Sequence, residues 1–177
     1  MRLPICALLL AASLGAQTPD FSGRWQLAPE TSATTNSARS VPTMGTGWGN
    51  EISIAQDATT LTIEFTPYVR YDMQPPTRLV YRLDGTASAN TLNVGRGPQQ
   101  QTSKAAWNGS KLTITTVRSF TAARNEKPLT VQTTQTLSLE SPPALSGVEG
   151  TTLVVETSHG AALGGQPSTN RAVYKKH

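Results

Sequence analysis

The chain has 177 residues, a formal net charge of +4 at pH 7 and one cysteine. Only 15% of its residues are charged, against about 25% in an average soluble protein, and its 15 arginines and lysines are scattered along the chain. No segment concentrates basic residues between aromatic ones, so the composition argues against a nucleic-acid partner.

The N-terminus has the order of a secretory signal peptide. A positive charge at Arg2 precedes the apolar stretch Leu3 to Leu14, and small residues follow up to Ala16. The apolar stretch is shorter than the about 20 residues that span a bilayer. We therefore expect residues 1–16 to be removed, and residues 17–177 to form one secreted or periplasmic domain with no integral membrane segment. Cys6 would leave with the signal, which excludes disulfides and thiolate chemistry from the mature chain.

From Phe21 onward, apolar and polar residues alternate with a period of two, which predicts β-strands. The first apolar stripes are Phe21-Trp25-Leu27, Ile52-Ile54, Leu61-Ile63-Phe65 and Leu79-Tyr81-Leu83. The second and third stripes form a hairpin across Asp57, and the fourth stops at the turn signal Asp84-Gly85. Residues 28–50 are polar and predict a long loop, while the stretch from 86 to 101 gives only a weak, glycine-rich signal.

The strongest local signal is Trp107-Asn108-Gly109-Ser110. It predicts a two-residue type I′ turn, because Asn and Gly tolerate the positive φ that this turn demands. In that register Trp107 faces Ser110 and Ala105 faces Leu112. Residues two apart share a face, so Trp107, Ala105 and Leu112 are predicted to lie on one side of the hairpin.

The strand signal from Leu129 to Leu139 is interrupted in its middle. Alternate residues share an apolar face, but Thr133 and Gln135 break it. One interpretation is a cavity with polar contact points for a ligand, because a packed core rarely admits a glutamine without partners. The other is an exposed strand end, or a bulge that reverses the two faces. Further strands are predicted around 153–155 and 171–176.

Together these signals predict an all-β protein of eight or nine strands joined mostly in sequence. An antiparallel up-and-down barrel suits this pattern, because closure removes the exposed edges of an open sheet. A two-sheet β-sandwich is the alternative, and the periodicity does not distinguish the two.

Two patterns resemble known proteins. Gly23-x-Trp25 on the first strand, followed by a meander of hairpins and an arginine near the start of the last strand, resembles the lipocalin-like (calycin) barrels. The hexapeptide D-F-S-G-R-W at residues 20–25, just after the signal peptide, resembles the opening of a group of small bacterial secreted proteins of unknown function. The stretches 103–114 and 151–174 resemble the rest of that group.

The calycin resemblance implies roles for individual residues. Gly23 and Trp25 would close one end of the barrel, and Arg171 would pack on the indole by a cation–π contact. Fatty-acid-binding barrels also direct an Arg and a Tyr, two apart on the last strand, onto a carboxylate. Here Arg171 and Tyr174 are three apart, which places them on opposite faces. The resemblance therefore implies a structural role for Arg171.

Residues for catalysis or metal binding are scarce. His159 lies in a predicted loop and His177 ends the chain, and neither has a second ligand at metal-binding spacing. No nucleophile elbow accompanies any serine. We expect no enzyme activity, no metal and no cofactor. Trp48, between two glycines, is either a lid over a barrel mouth or an exposed loop aromatic.

Three functions remain open. The first is an exported lipocalin-like protein that binds a small hydrophobic or amphipathic ligand. Its predicted cavity residues are Phe65, Tyr81, Trp107, Thr133 and Gln135. The second is a structural or interaction domain with a filled core and no ligand. The third, a small outer-membrane barrel, is disfavoured because the chain is only 6% aromatic and such barrels carry aromatic girdles.

Overall fold

The computed structural model describes residues 18–28, 33–35, 47–66, 75–94, 97–120, 129–141, 150–160 and 167–177. The predicted signal peptide, residues 1–16, lies outside these ranges. Within them the chain forms eleven strands. Their bounds are β1 Gly23–Leu27, β2 Ala33–Thr35, β3 Glu51–Gln56, β4 Thr60–Phe65, β5 Thr77–Arg82, β6 Ala87–Val94, β7 Gly97–Asn108, β8 Lys111–Phe120, β9 Leu129–Glu140, β10 Thr152–His159 and β11 Ser168–Lys176.

The strands form one antiparallel, nearly closed barrel. Their order is β5-β4-β3-β1-β11-β10-β9-β8-β7-β6, and the short β2 pairs with β11 beside this path. Strands that follow one another in the chain are hydrogen-bonded neighbours, except at β2 and between β5 and β6, and the last strand returns to pair with the first. The predicted up-and-down barrel is therefore confirmed over the β-sandwich, with ten strands on the main path. The predicted loop over residues 28–50 contains the extra strand β2.

The strands β3, β4 and β5 fill one half of the interior with large apolar side chains. Their alternate residues point inward, as the period of two predicts. The inward set on these strands comprises Ile52, Ile54, Leu61, Ile63, Phe65, Leu79 and Tyr81. The Asp57 carboxylate shapes the β3–β4 turn by accepting hydrogen bonds from the backbone amides of Thr59 and Thr60 at 2.7 and 2.8 Å.

The barrel is joined by side chains, not by a backbone ladder, between β5 and β6. The Asn90 amide accepts a hydrogen bond from the Val80 backbone N–H at 2.8 Å and donates one to the Val80 carbonyl at 2.9 Å. Ser88 Oγ accepts a third bond, from the Arg82 backbone N–H at 2.8 Å. An asparagine amide presents the same donor and acceptor as a peptide group, so Asn90 replaces a missing backbone partner. We call this junction the seam.

One end of the barrel is closed by aromatic residues, and we call it the closed end. Phe21 stacks on Trp107 with ring centroids 5.8 Å apart, and the Trp25 indole donates to the Phe21 carbonyl at 2.9 Å. Lys176 Nζ lies 5.5 Å from the centroid of the Trp25 ring. A Cβ on Gly23 would come within 2.8 Å of the Lys176 side chain, and Gly23 has a φ of +139°. Glycine therefore leaves the space in which the lysine covers the tryptophan.

The cation over Trp25 is thus Lys176, and the expectation that Arg171 packs there is wrong. Arg171 instead pairs with Glu140, with 2.9 Å between Nη2 and Oε2. The physical reason is register. Trp25 is paired with Lys176. Arg171 lies five residues before Lys176 on the same strand, so its side chain points to the opposite face.

The hairpin between β7 and β8 is shifted by one residue from the predicted turn. Residues 109–110 form the turn instead of 108–109, and the first turn position holds a glycine with a φ of 60°. Trp107 consequently pairs with Leu112 instead of Ser110. The partner of Trp107 on the opposite strand moves by two positions, which leaves it on the same face. The prediction that Trp107, Ala105 and Leu112 lie on the inner face is therefore confirmed.

The weak glycine-rich stretch from residue 86 to 101 is in fact regular. It contains β6 and the first part of β7, which pair over eight residue positions. The inward residues here include Ser88, Asn90 and Gln101, all of them polar and buried. An apolar stripe is what makes a strand visible in a sequence, and these strands lack one because they line the seam and a cavity.

Candidate ligand-binding cavity

The barrel contains a cavity of about 500 Å³, partly open to solvent, away from the closed end. One wall is apolar and the opposite wall is polar. The lining residues are Gly47, Trp48, Phe65, Leu79, Tyr81, Leu92, Gln99, Gln101, Thr116, Arg118, Val131, Thr133, Gln135 and His159. The volume falls within the range of small-molecule sites, about 300–1,000 Å³.

Trp48 forms much of the apolar wall. It is only 3% exposed, so the interpretation as an exposed loop aromatic is wrong. The glycines on either side, Gly47 and Gly49, have φ values of 78° and 82°, a region that L side chains rarely adopt. The Tyr174 hydroxyl donates to the Gly49 carbonyl at 3.0 Å and anchors this turn. The G-x-G sequence therefore directs the indole into the barrel.

Tyr81 lines the same cavity as Trp48, and the pKa of its hydroxyl responds to a hydrogen-bonding interaction with Trp48. Burial raises the pKa of Tyr81 well above its usual value, and the charge of Arg118 and the bond with Trp48 oppose this only in part. The tyrosine therefore contributes a neutral aromatic surface to the cavity at any physiological pH.

A row of polar side chains crosses the opposite wall from strand to strand. Register pairs Ser88 with Ser103, Ser103 with Thr116, Thr116 with Thr133, and Thr133 with His159. Each of these residues has inward parity, so the row runs around the inside of β6 to β10. The hydroxyls of Ser103 and Thr116 are 2.8 Å apart, within hydrogen-bond distance.

Arg118 and Gln101 lie next to this row. The Arg118 Nε donates to Gln101 Oε1 at 2.9 Å across paired positions of β7 and β8. Gln101 is only 3% exposed. Its hydrogen bond therefore holds the Nε side of the Arg118 guanidinium, while the rest of the arginine side chain reaches solvent. Burial lowers the pKa of Arg118 from its ordinary value, with a small opposing effect from Tyr81, but a guanidinium stays charged at neutral pH.

Gln135 lies inside the barrel, in the middle of β9. It is 5% exposed and lines the cavity. The pairing of β9 with β8 and with β10 runs without a bulge through this position. Both forms of the alternative interpretation, an exposed strand end and a reversed face, are therefore wrong.

His159 ends β10 at the cavity, not in a loop as the sequence indicated. Its Nδ1 is 3.2 Å from the Thr133 hydroxyl. Burial, and to a lesser extent the charge of Arg118, lower the pKa of His159 below its usual value. The imidazole is therefore neutral at pH 7.

Beside Gln135, two buried polar atoms have no hydrogen-bond partner among the residues that the structure describes. They are Thr157 Oγ1 and Asn170 Oδ1, on residues that are paired between β10 and β11. Thr157 is 0% exposed and is also paired with Gln135. A buried hydroxyl without a partner costs about 1–3 kcal/mol, so this position weakens the barrel wall.

The structure brings together four of the five predicted cavity residues, Phe65, Tyr81, Thr133 and Gln135. Trp107 is not among the lining residues, and its place in the prediction is wrong. It shares the inner face with Gln101 but lies six residues further along β7, about 20 Å at 3.3 Å per residue.

Sequence reasoning missed Arg118 and Gln101, and it left Trp48 open between a lid over the barrel mouth and an exposed loop aromatic. An arginine among threonines on β8 has inward parity with Ile114 and Thr116, and that parity was the available signal. Gln101 gave no signal, because β6 and the start of β7 were not recognised as strands. For Trp48 the flanking glycines pointed to a special backbone, but not to which side the indole would face.

Within the described ranges, no group of three His, Cys, Asp or Glu side chains is placed to hold a metal ion. The same residues include no helix of the length and apolarity needed to cross a membrane. No known protein family, curated protein or solved structure matches this chain at a significant level.

Proposed function

We propose that this chain is an exported binding protein that holds a small amphipathic ligand inside its barrel. The observation that carries the proposal is the cavity of about 500 Å³ with one aromatic wall and one polar wall. Ligand sites combine mostly apolar linings with a few polar groups that fix orientation. The calycin resemblance of Gly23-x-Trp25 and the signal-like N-terminus support the same proposal.

A filled-core interaction domain is the competing function, and the burial of polar groups argues against it. A packed core stabilises a barrel through apolar contacts. Here, buried Gln101, Thr116 and Gln135 occupy inward positions that larger apolar side chains would fill in a dry core. Their polarity is compatible with a site that holds water when empty and a ligand when occupied.

Binding is tested with a fluorescent fatty-acid probe and two variants on the same strand. Gln135→Leu changes the cavity wall, while Gln132→Leu makes the same substitution on the exposed outer face. We expect Gln135→Leu to change the dissociation constant for the probe severalfold, and Gln132→Leu to leave it unchanged. Urea melts of both variants check that the fold is retained.

A second pair of variants blocks the cavity. Val131→Trp places an indole in the lining, and Gln132→Trp places it outside. The first should abolish binding of the probe and the second should not. The proposal fails if the wild-type protein binds no apolar probe below about 100 μM, roughly −5.5 kcal/mol, and carries no small molecule from its host. The function proposed would then be that of a filled-core interaction domain.

A further inference from the structure

Arg118 is a cation at the cavity with no carboxylate partner in the part of the chain that the structure describes. The described part of the chain contains three ion pairs, all of them exposed: Arg78–Glu64, Arg82–Asp84 and Arg171–Glu140. Arg118 belongs to none of them, and none of the described residues that line the cavity is Asp or Glu. The cavity therefore has a positive charge that the described residues leave unbalanced.

The hydrogen bond with Gln101 also leaves donors unused. Arginine is only a donor, so Gln101 must turn its oxygen towards Arg118 Nε, which leaves its NH₂ group as a donor. Neither that NH₂ group nor the terminal nitrogens of Arg118 have an acceptor among the described residues. Two adjacent side chains thus present N–H groups, and no acceptor, at the cavity.

The other titratable groups of the lining do not offset this charge. Tyr81, Arg118 and His159 are the lining residues that titrate. Burial keeps Tyr81 neutral. The pKa of His159 is lowered by burial and then by Arg118, which indicates that the positive potential extends from β8 to β10.

We propose that the ligand is an amphipathic carboxylate, with its acidic head group on Arg118 and Gln101 and its apolar part against Trp48 and Phe65. This inference rests on the proposed function. A planar guanidinium matches a carboxylate by two parallel hydrogen bonds. One cation also balances one negative charge, whereas a phosphate dianion would leave a charge unpaired in a partly buried site.

Calorimetry with ligands of one chain length tests the head group. Decanoate should bind the wild-type protein at least tenfold more tightly than 1-decanol, a difference of about 1.4 kcal/mol. Arg118→Gln should remove this preference without weakening decanol binding. Arg78→Gln, which removes the same charge from the exposed outer face, should leave the preference intact and so control for long-range attraction.

The outcomes separate the two proposals. Equal binding of decanoate and decanol would leave the binding function standing and overturn the carboxylate inference. Tighter binding of decyl phosphate than of decanoate would overturn the choice of head group. If neither decanoate nor decanol nor the fluorescent probe binds, the proposed function fails and the inference fails with it.

His159 supplies a readout that depends on the head group and not on the fold. A carboxylate held near Arg118 should raise the pKa of His159 above its value in the empty protein, measured by NMR titration of the imidazole. Decanol should leave that pKa unchanged. If decanoate binds and the His159 pKa does not move, the anion does not lie at Arg118 and the inference is wrong.

Discussion

Strands β3 to β5 and strands β6 to β9 contribute different side chains to the same interior. The first group contributes large apolar residues such as Leu61 and Ile63, which are fully buried. The second contributes some buried apolar residues, such as Leu112 and Ile114. It also contributes Ser103, Thr116 and Gln101, which are buried but polar. We call these groups the apolar half and the polar half. The backbone pairing is regular in both, so regular pairing does not require an apolar stripe on every strand.

The two halves differ in how much they contribute to the stability of the fold. The apolar half loses water from its side chains on folding, and such burial contributes about 25 cal/mol per Å². The polar half gains less, because each hydrogen bond replaces one with water and adds only about 1 kcal/mol. A cavity next to the polar half is therefore stabilised by the strands on the opposite side of the barrel.

The sharpest test applies one substitution to both halves. Leu61→Ala removes a fully buried side chain and should destabilise the protein by about 2–5 kcal/mol. Leu92→Ala, on β6, removes a half-buried side chain that already borders the cavity, and should cost about 1 kcal/mol. Urea denaturation measures both. Equal losses would mean that the two halves are packed alike.

The seam is the next most sensitive position. Asn90→Ala removes both bonds to the Val80 backbone and leaves a peptide group without partners, which should cost about 2–3 kcal/mol. Hydrogen exchange of the Val80 amide should accelerate in parallel. Thr91→Ala, on the exposed face of the same strand, serves as the control and should change stability by less than about 0.5 kcal/mol. If Asn90→Ala changes neither stability nor the hydrogen exchange of the Val80 amide, β5 and β6 are held together by other contacts.

Two buried threonines, one on β10 and one on β8, should respond with opposite signs. Thr157→Val removes a buried hydroxyl that has no partner and should stabilise the protein by about 1 kcal/mol. Thr116→Val breaks the bond with Ser103 and should destabilise it by a similar amount. If Thr157→Val instead lowers the urea midpoint, a bound water satisfies that hydroxyl.

The smallest expected effect is a pH dependence from His159. Its pKa is lowered in the folded protein, so it favours folding above the unfolded value of about 6.5. That contribution is lost as the pH falls through the folded value. Stability should therefore decrease from pH 7 towards pH 5, and His159→Gln should flatten this part of the curve. The pKa values of Asp57 and Asp84 are also lowered, but carboxylates act at more acidic pH.

The apolar half was predictable from the sequence, whereas β6 and the first part of β7 in the polar half were not. Stripes such as Leu61-Ile63-Phe65 alternate cleanly, so their strands and inward faces follow directly. The strand β6 has no such stripe, because its inward residues serve the seam and the cavity. The break at Gln135 was visible only because Leu137 and Leu139 continue the apolar face beyond it.

The face of the sheet on which a side chain lies was predictable, but its depth along the barrel was not. Parity placed Trp107 on the inner side correctly, yet a period of two carries no information about depth. The exchange of Arg171 for Lys176 over Trp25 has a different cause. The family resemblance assigned Arg171, but the register of β1 with β11 pairs Trp25 with Lys176 and leaves Arg171 on the opposite face. Arg118 was overlooked because a single charge on a threonine-rich strand looks like a solvated face.

The seam has a consequence for association between molecules. A closed barrel has no free strand edges, whereas an open sheet has two, and free edges invite pairing with other chains. Here the backbones of β5 and β6 are bridged by one amide and one hydroxyl, on Asn90 and Ser88. Loss of these hydrogen bonds would leave β5 and β6 as two free strand edges, each able to pair with a strand from another copy. The closure of the barrel at this junction therefore depends on side chains that contribute little apolar contact of their own.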